Sequence, residues 1–266
     1  MKKGKIVVRL FALVIVLSVF MTSLVDCKSN DEQNNASNAS SSEDMSVNAE
    51  PKKRVAITFD DGPHNVRTAL IVDELAKYGY HATFFVVGNR VDGTDYNGSS
   101  GLKYAADAGN EIGVHGYTHS YYYDSCDDAT YRDELSKTES AIKNVLSGNS
   151  IKLMRPVGGK ITEDRIKTSK YSVIMWSVDS EDWKYKYKAE DTEEQMAEKV
   201  DIIVDNVMSS VEDGSIILMH DIYLSTYDAL VIILERLHAE GYEVVTVSEL
   251  IGNDLAVGNR YSQGGK

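Results

Sequence analysis

Thr58-Phe59-Asp60-Asp61-Gly62-Pro63 sets two adjacent carboxylates directly after an apolar, strand-like run, Val55-Ala56-Ile57. The strand breaks at Gly62-Pro63, so both acids stand at its C-terminal end. A paired Asp at such a point can divide labour. One carboxylate can hold a metal ion while the other works as a base.

Four further segments carry groups of the same kind. Glu111-Ile112-Gly113-Val114-His115-Gly116-Tyr117-Thr118-His119 ends a strand-like run with two His four residues apart, a spacing that faces one side of a helical turn. Two imidazoles and one carboxylate leave coordination positions open for water and substrate, as a catalytic metal needs. The plain alternative is a pair of polar residues on a surface turn. Arg155-Pro156-Val157-Gly158-Gly159 follows a short strand. A strand-end Arg can clamp a carboxylate, and a Gly after it exposes backbone N–H groups; by itself the segment also reads as an ordinary Pro-Gly turn. Trp176-Ser177-Val178-Asp179-Ser180-Glu181-Asp182-Trp183 sets acids beside aromatics, as a sugar-binding groove would, or as a buried Trp with solvated acids would. Ile216-Ile217-Leu218-Met219-His220-Asp221 ends an apolar strand in a His placed for acid or base work, or in a mere strand cap. All five segments, in this order and each at a strand end, argue for one shared site.

The elements that must position them alternate along the chain. Strands are expected at 55–59, 82–87, 111–114, 152–154, 172–178, 215–219 and 243–247. Helical spacing appears at 68–78, 101–108, 127–146, 162–168, 193–211 and 227–240. Alternation of this kind implies an α/β fold with a parallel sheet. About seven parallel strands without a dinucleotide-type Gly fingerprint suit a barrel better than a doubly wound sheet, and barrel active sites lie after strand ends.

The chain has 266 residues, 42% of them hydrophobic, and a formal net charge of -13. That charge argues against nucleic acid and against an anionic surface as the main partner. Lys2, Lys3, Lys5 and Arg9 precede an apolar run over 10–21, too short for a membrane span and suited to an export signal. Cys27 stands where a bacterial lipoprotein carries its lipid, although Asp26 departs from the small residue expected before it. Residues 28–53 are rich in Ser, Asn, Asp and Glu and read as a disordered tether. The expected organisation is a leader over 1–27, a linker over 28–53, a catalytic domain over 54–252 and a tail over 253–266. Membrane contact is expected only through the leader or a lipid on Cys27.

The domain resembles the NodB-homology polysaccharide deacetylases, carbohydrate esterase family 4. TFDDGP, the HxxxH segment, the RP turn, DSEDW and LMHD appear in that family's order. The resemblance implies a distorted (β/α) barrel. It also implies metal ligation by Asp61, His115 and His119, with zinc the first choice and cobalt or another divalent ion the alternatives. Asp60 then resembles the general base acting on the attacking water, with Arg155 pairing with and orienting it. His220 resembles the general acid that protonates the leaving amine, and Asp182 the carboxylate bonded to it. Leu218 and Trp183 resemble walls of the acetyl-methyl pocket, and the Gly158 N–H stands where the family places an oxyanion donor. The implied activity is removal of N-acetyl groups from a polysaccharide, first of all from peptidoglycan N-acetylglucosamine, then from chitin-like glycans.

Three positions depart from the family pattern. Gly116 stands where a hydroxyl residue is usual, Val157 where Pro is usual, and Gly158 where an aromatic is usual. Rival readings are an O-deacetylase of acetylxylan, an inactive glycan-binding module, and an iron oxygenase, which would leave Arg155, Asp182 and His220 without a task. Segments 92–101, 121–128 and 184–191 are expected to wall the groove, and their Tyr residues are candidates for stacking on sugar faces.

Overall fold

A computed structural model describes residues 52–93, 98–148 and 150–265. The expected leader, Cys27 and nearly all of the linker lie outside the described residues, as do positions 94–97 of one expected groove wall. Among the described residues no helix is long and apolar enough to cross a membrane.

The sheet is parallel throughout its named pairs. Its order is β6 (Val178–Asp179), β7 (Ile216–His220), β1 (Lys53–Asp60), β2 (Thr83–Val86), β3 (Glu111–Val114), β4 (Leu153–Met154), β5 (Ser172–Ile174) and β9 (Arg260–Tyr261), with β8 (Tyr242–Val244) added to the start of β1. This is the distorted (β/α) barrel that the family resemblance implies, with more and shorter strands than the seven expected. The expected strand over 172–178 is two strands, β5 and β6, separated at 175–177. Residues 253–266, read from sequence as a tail, supply β9, and Gln263 bridges to Ser215 just before β7.

Strand periodicity decides what faces the barrel interior. On β1, Val55, Ile57 and Phe59 join the outer core beneath the helices, whereas Ala56 joins the inner cluster with Phe85, Leu153, Ile174 and Ile216. Thr58 and Asp60 continue the inner row of β1. On β7, Ile217 and Met219 face outward with the same core, and Leu218 and His220 continue the inner row from Ile216. β1 and β7 run in register, so Asp60 is paired with His220.

The outer layer is formed by α1 (Arg67–Ala76), α3 (Gly98–Asp107), α4 (Asp128–Val145), α6 (Glu193–Met208) and α7 (Leu224–Ala239), with short α2 (Gly88–Asp92) and α5 (Glu163–Lys167) between them. α6 begins with a capping box between Thr192 and Gln195. A short α8 (Val247–Ile251), not expected from periodicity, inserts Val247, Leu250 and Ile251 into the inner cluster. Its Val247 N–H bonds Thr83 Oγ1 and its Ser248 N–H bonds Glu111 Oε2, both at strand starts. α8 therefore plugs the N-terminal end of the barrel and leaves the C-terminal end for chemistry.

Candidate active site

Asp60 is the last residue of β1 and is 3% exposed. Asp61 has a φ of 71°, a left-handed conformation that turns the chain off the strand and aims the second carboxylate back across the same mouth. His115 follows β3 and is buried. Its Nδ1 lies 2.8 Å from the Arg155 carbonyl oxygen. A carbonyl only accepts, so Nδ1 carries the hydrogen and Nε2 keeps its lone pair. That Nε2 stands 3.5 Å from Asp61 Oδ1 and 3.6 Å from Asp60 Oδ2.

His119 reaches the same point by a route the helical spacing does not describe. Residues 115–119 form no helix. Gly116 at φ 94° and His119 at φ 58° turn the loop back on itself. Buried Glu134 of α4 holds this turn by accepting from the N–H groups of Tyr117 and Thr118, at 2.7 and 2.9 Å, and from the Thr118 hydroxyl. His119 Nε2 ends 3.0 Å from Asp61 Oδ1.

One ligand atom from each of Asp61, His115 and His119 lies within 4.8 Å of the others. Among the described residues Asp61 Oδ1 is buried without a hydrogen-bond partner of good geometry, although His119 Nε2 stands 3.0 Å away. An orphaned carboxylate oxygen facing two imidazole nitrogens is a donor set that fits a divalent ion such as zinc or cobalt. Burial alone would raise the Asp61 pKa. Contact with His119 and the charges of His115 and His220 instead hold it well below the usual carboxylate range.

Arg155 is fully buried behind this cluster. Its Nη1 donates to Asp60 Oδ1 at 2.9 Å and to Thr58 Oγ1 at 2.7 Å. Nε and Nη2 donate to the carbonyls of Ile174 and Met175, and the guanidinium stacks 4.4 Å above Phe85. The break between β5 and β6 is thus where the chain turns carbonyls onto a buried cation. Burial lowers the Arg155 pKa and the Asp60 charge opposes that shift.

Across the mouth, Asp182 binds His220 twice, through Nδ1 and through the backbone N–H, each at 2.7 Å. Thr226 of α7 donates to the same carboxylate at 2.6 Å. Burial pulls the His220 pKa down, but Asp182 outweighs it and His220 is raised to about 9. With Nδ1 committed to Asp182, Nε2 is the ring nitrogen left for the cleft.

Asp60, Asp61, His115, His119, Gly158, Trp183, Leu218 and His220 all line one cleft of about 590 Å³. Arg155 and Asp182 do not line it and stand behind Asp60 and His220. Tyr122, from the expected groove wall over 121–128, also lines the cleft. Sequence reasoning missed Thr58, Thr226, Glu134 and Tyr223. Glu134 had a legible signal, since it lies beside Leu135 and Thr138 on the buried face of α4. Asp221, next to His220, is also fully buried; it accepts from Thr68, and burial pushes its carboxyl up to about 7.

Residues 47–172 match the family model described as polysaccharide deacetylase. The chain is 32% identical over 213 residues to the peptidoglycan-N-acetylglucosamine deacetylase PgdA of Listeria monocytogenes, with 80% of this chain aligned. It spans 42% of that relative's length. The structure of peptidoglycan deacetylase PdaC from Bacillus subtilis is 36% identical with a TM-score of 0.65, covering 74% of this chain and 89% of that one. A family 4 acetyl xylan esterase from Clostridium thermocellum, in complex with a cobalt ion, is 30% identical with a TM-score of 0.67, covering 79% of this chain and 98% of that one.

Proposed function

The chain belongs to the polysaccharide deacetylase family, carbohydrate esterase family 4, and from that premise we propose that it is a metal-dependent hydrolase removing N-acetyl groups from cell-wall glycan and releasing acetate. Peptidoglycan N-acetylglucosamine is the first substrate in this reading. The observation that carries it is the meeting, in one cleft, of the Asp61–His115–His119 donor set, an Arg155-held Asp60 and an Asp182-held His220.

Asp61, His115 and His119 would hold the ion, zinc first and cobalt as the alternative. When bound, it supplies Lewis acidity that makes water nucleophilic near neutral pH and polarises the acetyl carbonyl. Asp60 is the base: Arg155 occupies its Oδ1, which leaves Oδ2 to accept the proton of the attacking water. The Gly158 N–H, on a residue at φ 60° in the cleft wall, is the donor for the oxyanion that forms on the acetyl group. His220, charged through Asp182, gives its Nε2 proton to the departing amine. Leu218 and Trp183 form the wall against the acetyl methyl group. Residues 1–27 and 28–53 would export and tether the enzyme so that the cleft meets wall glycan outside the cell.

The test is acetate release by the purified zinc-loaded protein from N-acetylglucosamine oligomers, peptidoglycan and acetylxylan. Release from the first two that stops on chelation is the expected result. Release from acetylxylan alone would move the activity to O-acetyl groups. No release from any of them, with zinc bound, would remove the enzymatic reading.

A further inference from the structure

Two of the three departures, Gly116 and Gly158, sit against consecutive tyrosines. A Cβ on Gly116 would stand 2.8 Å from the Tyr123 hydroxyl, and a Cβ on Gly158 would stand 3.0 Å from Cε1 of the Tyr122 ring. Tyr123 is fully buried, but Tyr122 is 52% exposed and lines the catalytic cleft. The space that an aromatic at position 158 would claim is therefore partly taken by the Tyr122 ring, delivered from the loop between β3 and α4.

That ring stands on a fixed base. The Tyr122 carbonyl accepts from the N–H of Cys126 at 3.1 Å. The next N–H, of Tyr123, donates to the Lys160 carbonyl at 2.9 Å, and Tyr123 bridges to Ile161. Arg165 then holds the loop by donating to the carbonyls of Tyr123 and Cys126, at 2.9 and 2.8 Å. The loop is thus stitched to the segment that contains Gly158. Tyr121, the other exposed ring of this loop, does not line the cleft. Trp183, 48% exposed, lines the cleft as a second exposed ring.

We propose that Tyr122 is the sugar-stacking, specificity-determining residue of this site, taking over with its ring the place left by Gly158. The reading rests on the glycan deacetylase function above. Its ligand is the apolar C–H face of a pyranose in an N-acetylated glycan, set beside the unit whose acetyl group enters the pocket. A rigid aromatic held half in water suits that task, because little side-chain freedom is lost when the sugar docks.

The test measures the Kd of N-acetylglucosamine tetramer by calorimetry, and kcat and KM for acetate release, on the zinc-loaded full chain and on Tyr122→Ala, Tyr122→Phe and Tyr122→Trp. Tyr122→Ala is expected to raise Kd and KM about tenfold while kcat changes far less. Tyr122→Phe and Tyr122→Trp are expected to recover tight binding. A Kd for Tyr122→Ala within twofold of the parent overturns the proposal. So does a Tyr122→Phe as weak as Tyr122→Ala, which would assign the effect to the hydroxyl. So does a loss of bound zinc parallel to the loss of affinity, which would make the residue a structural prop. A parent protein that binds the tetramer without releasing acetate ends the deacetylase reading, yet the Kd series still decides for or against Tyr122. A parent that binds no tetramer but releases acetate from acetylxylan ends the Tyr122 proposal and keeps the enzyme.

Discussion

The Arg155 backbone carbonyl lies 2.8 Å from His115 Nδ1, while the Arg155 side chain holds Asp60 at 2.9 Å. One residue thus orients the imidazole proposed as a metal ligand through its main chain and the carboxylate proposed as the base through its side chain. The two tasks are separable by substitution. Arg155→Lys keeps the carbonyl and loses the fork that also satisfies Thr58, Ile174 and Met175. We expect kcat to fall at least about a hundredfold, the low end of what a positioned base contributes. Lys keeps the charge but leaves buried acceptors of the fork unpaired, which costs about 2 kcal/mol in stability. Zinc affinity should change much less than kcat. Equal losses of zinc affinity and kcat, measured by metal titration and initial rates, would contradict the division.

With His220 as the proposed general acid, the His220–Asp182 pair should set the alkaline side of the pH profile. His220 is raised to about 9, above its ordinary value of 6.5. The imidazolium is the form that can protonate an amine, so kcat/KM should hold through neutral pH and fall near pH 9. The stability contributed by the charged pair follows the same sign. It is complete below pH 6.5 and is lost as pH rises through about 9. Asp182→Asn removes the charge that raises His220, so its alkaline limb should move down toward neutral pH. A profile whose alkaline limb does not move in that variant would assign the limb to another group.

Gly116 and Tyr123 meet so closely that the family's usual hydroxyl residue cannot simply be restored. Gly116 has φ 94°, and a Cβ there would be 2.8 Å from the Tyr123 hydroxyl and 3.3 Å from Glu134. Gly116→Ser should destabilise the protein by about 2 kcal/mol, from crowding and from the left-handed backbone. Among the described residues the Tyr123 hydroxyl is buried without a hydrogen-bond partner. Tyr123→Phe should therefore be close to neutral, and Gly116→Ser with Tyr123→Phe should recover part of the loss. Additive effects in denaturant unfolding would show that the two positions are not in conflict.

The strongest sequence signals were those where a long apolar run ended in a polar group. Val55-Ala56-Ile57 before Asp60 and Ile216-Ile217-Leu218 before His220 fixed β1, β7 and their mouth residues, because strand period alone puts Asp60 and His220 on the inner face. His115 and His119 come together as the 115–119 spacing implies, but not by a helical turn. Two left-handed residues make a turn that brings His119 back as a helical turn would, and spacing does not tell the two apart. β9 is two residues, Arg260 and Tyr261, with no apolar run to announce it. α8 is five residues long, too short for periodicity, yet its Thr246–Glu249 capping box was written in the sequence. Thr226 acts through a tertiary contact with Asp182 that no local pattern encodes, whereas Glu134 sits on the apolar face of α4, where periodicity could have marked it.

Asp221 adds a second titration, opposite in consequence to a surface carboxylate. Burial raises it to about 7 from 3.8, with Thr68 opposing through its hydrogen bond. The folded state therefore holds this proton more tightly than the unfolded chain. The stability it contributes is present below pH 3.8 and is lost as pH rises through about 7. Asp221→Asn, nearly the same shape, should flatten the dependence of unfolding free energy on pH across that window in chelator-treated protein. Gly62→Ala should fail more severely, since its Cβ would stand 2.2 Å from Asp221 Oδ1. An unchanged pH slope in Asp221→Asn would rule out this carboxyl as its source.

The three proposed ligands differ in what else they hold, and metal removal should expose the difference. His115 is buried and bonded to the Arg155 carbonyl, whereas the His119 side chain is 42% exposed. Zinc present at about a thousandfold above its Kd would stabilise the fold by about 4 kcal/mol. For a domain of this size that is on the order of 10 °C in Tm, lost on chelation. His119→Ala should abolish most of this zinc-dependent shift while leaving the Tm of the chelated protein nearly unchanged. His115→Ala should lose the shift and also lower the chelated Tm, because it opens a buried space and orphans a carbonyl. Scanning calorimetry with and without zinc separates the two. Equal chelated Tm values for both variants would mean that His115 has no structural task beyond the metal.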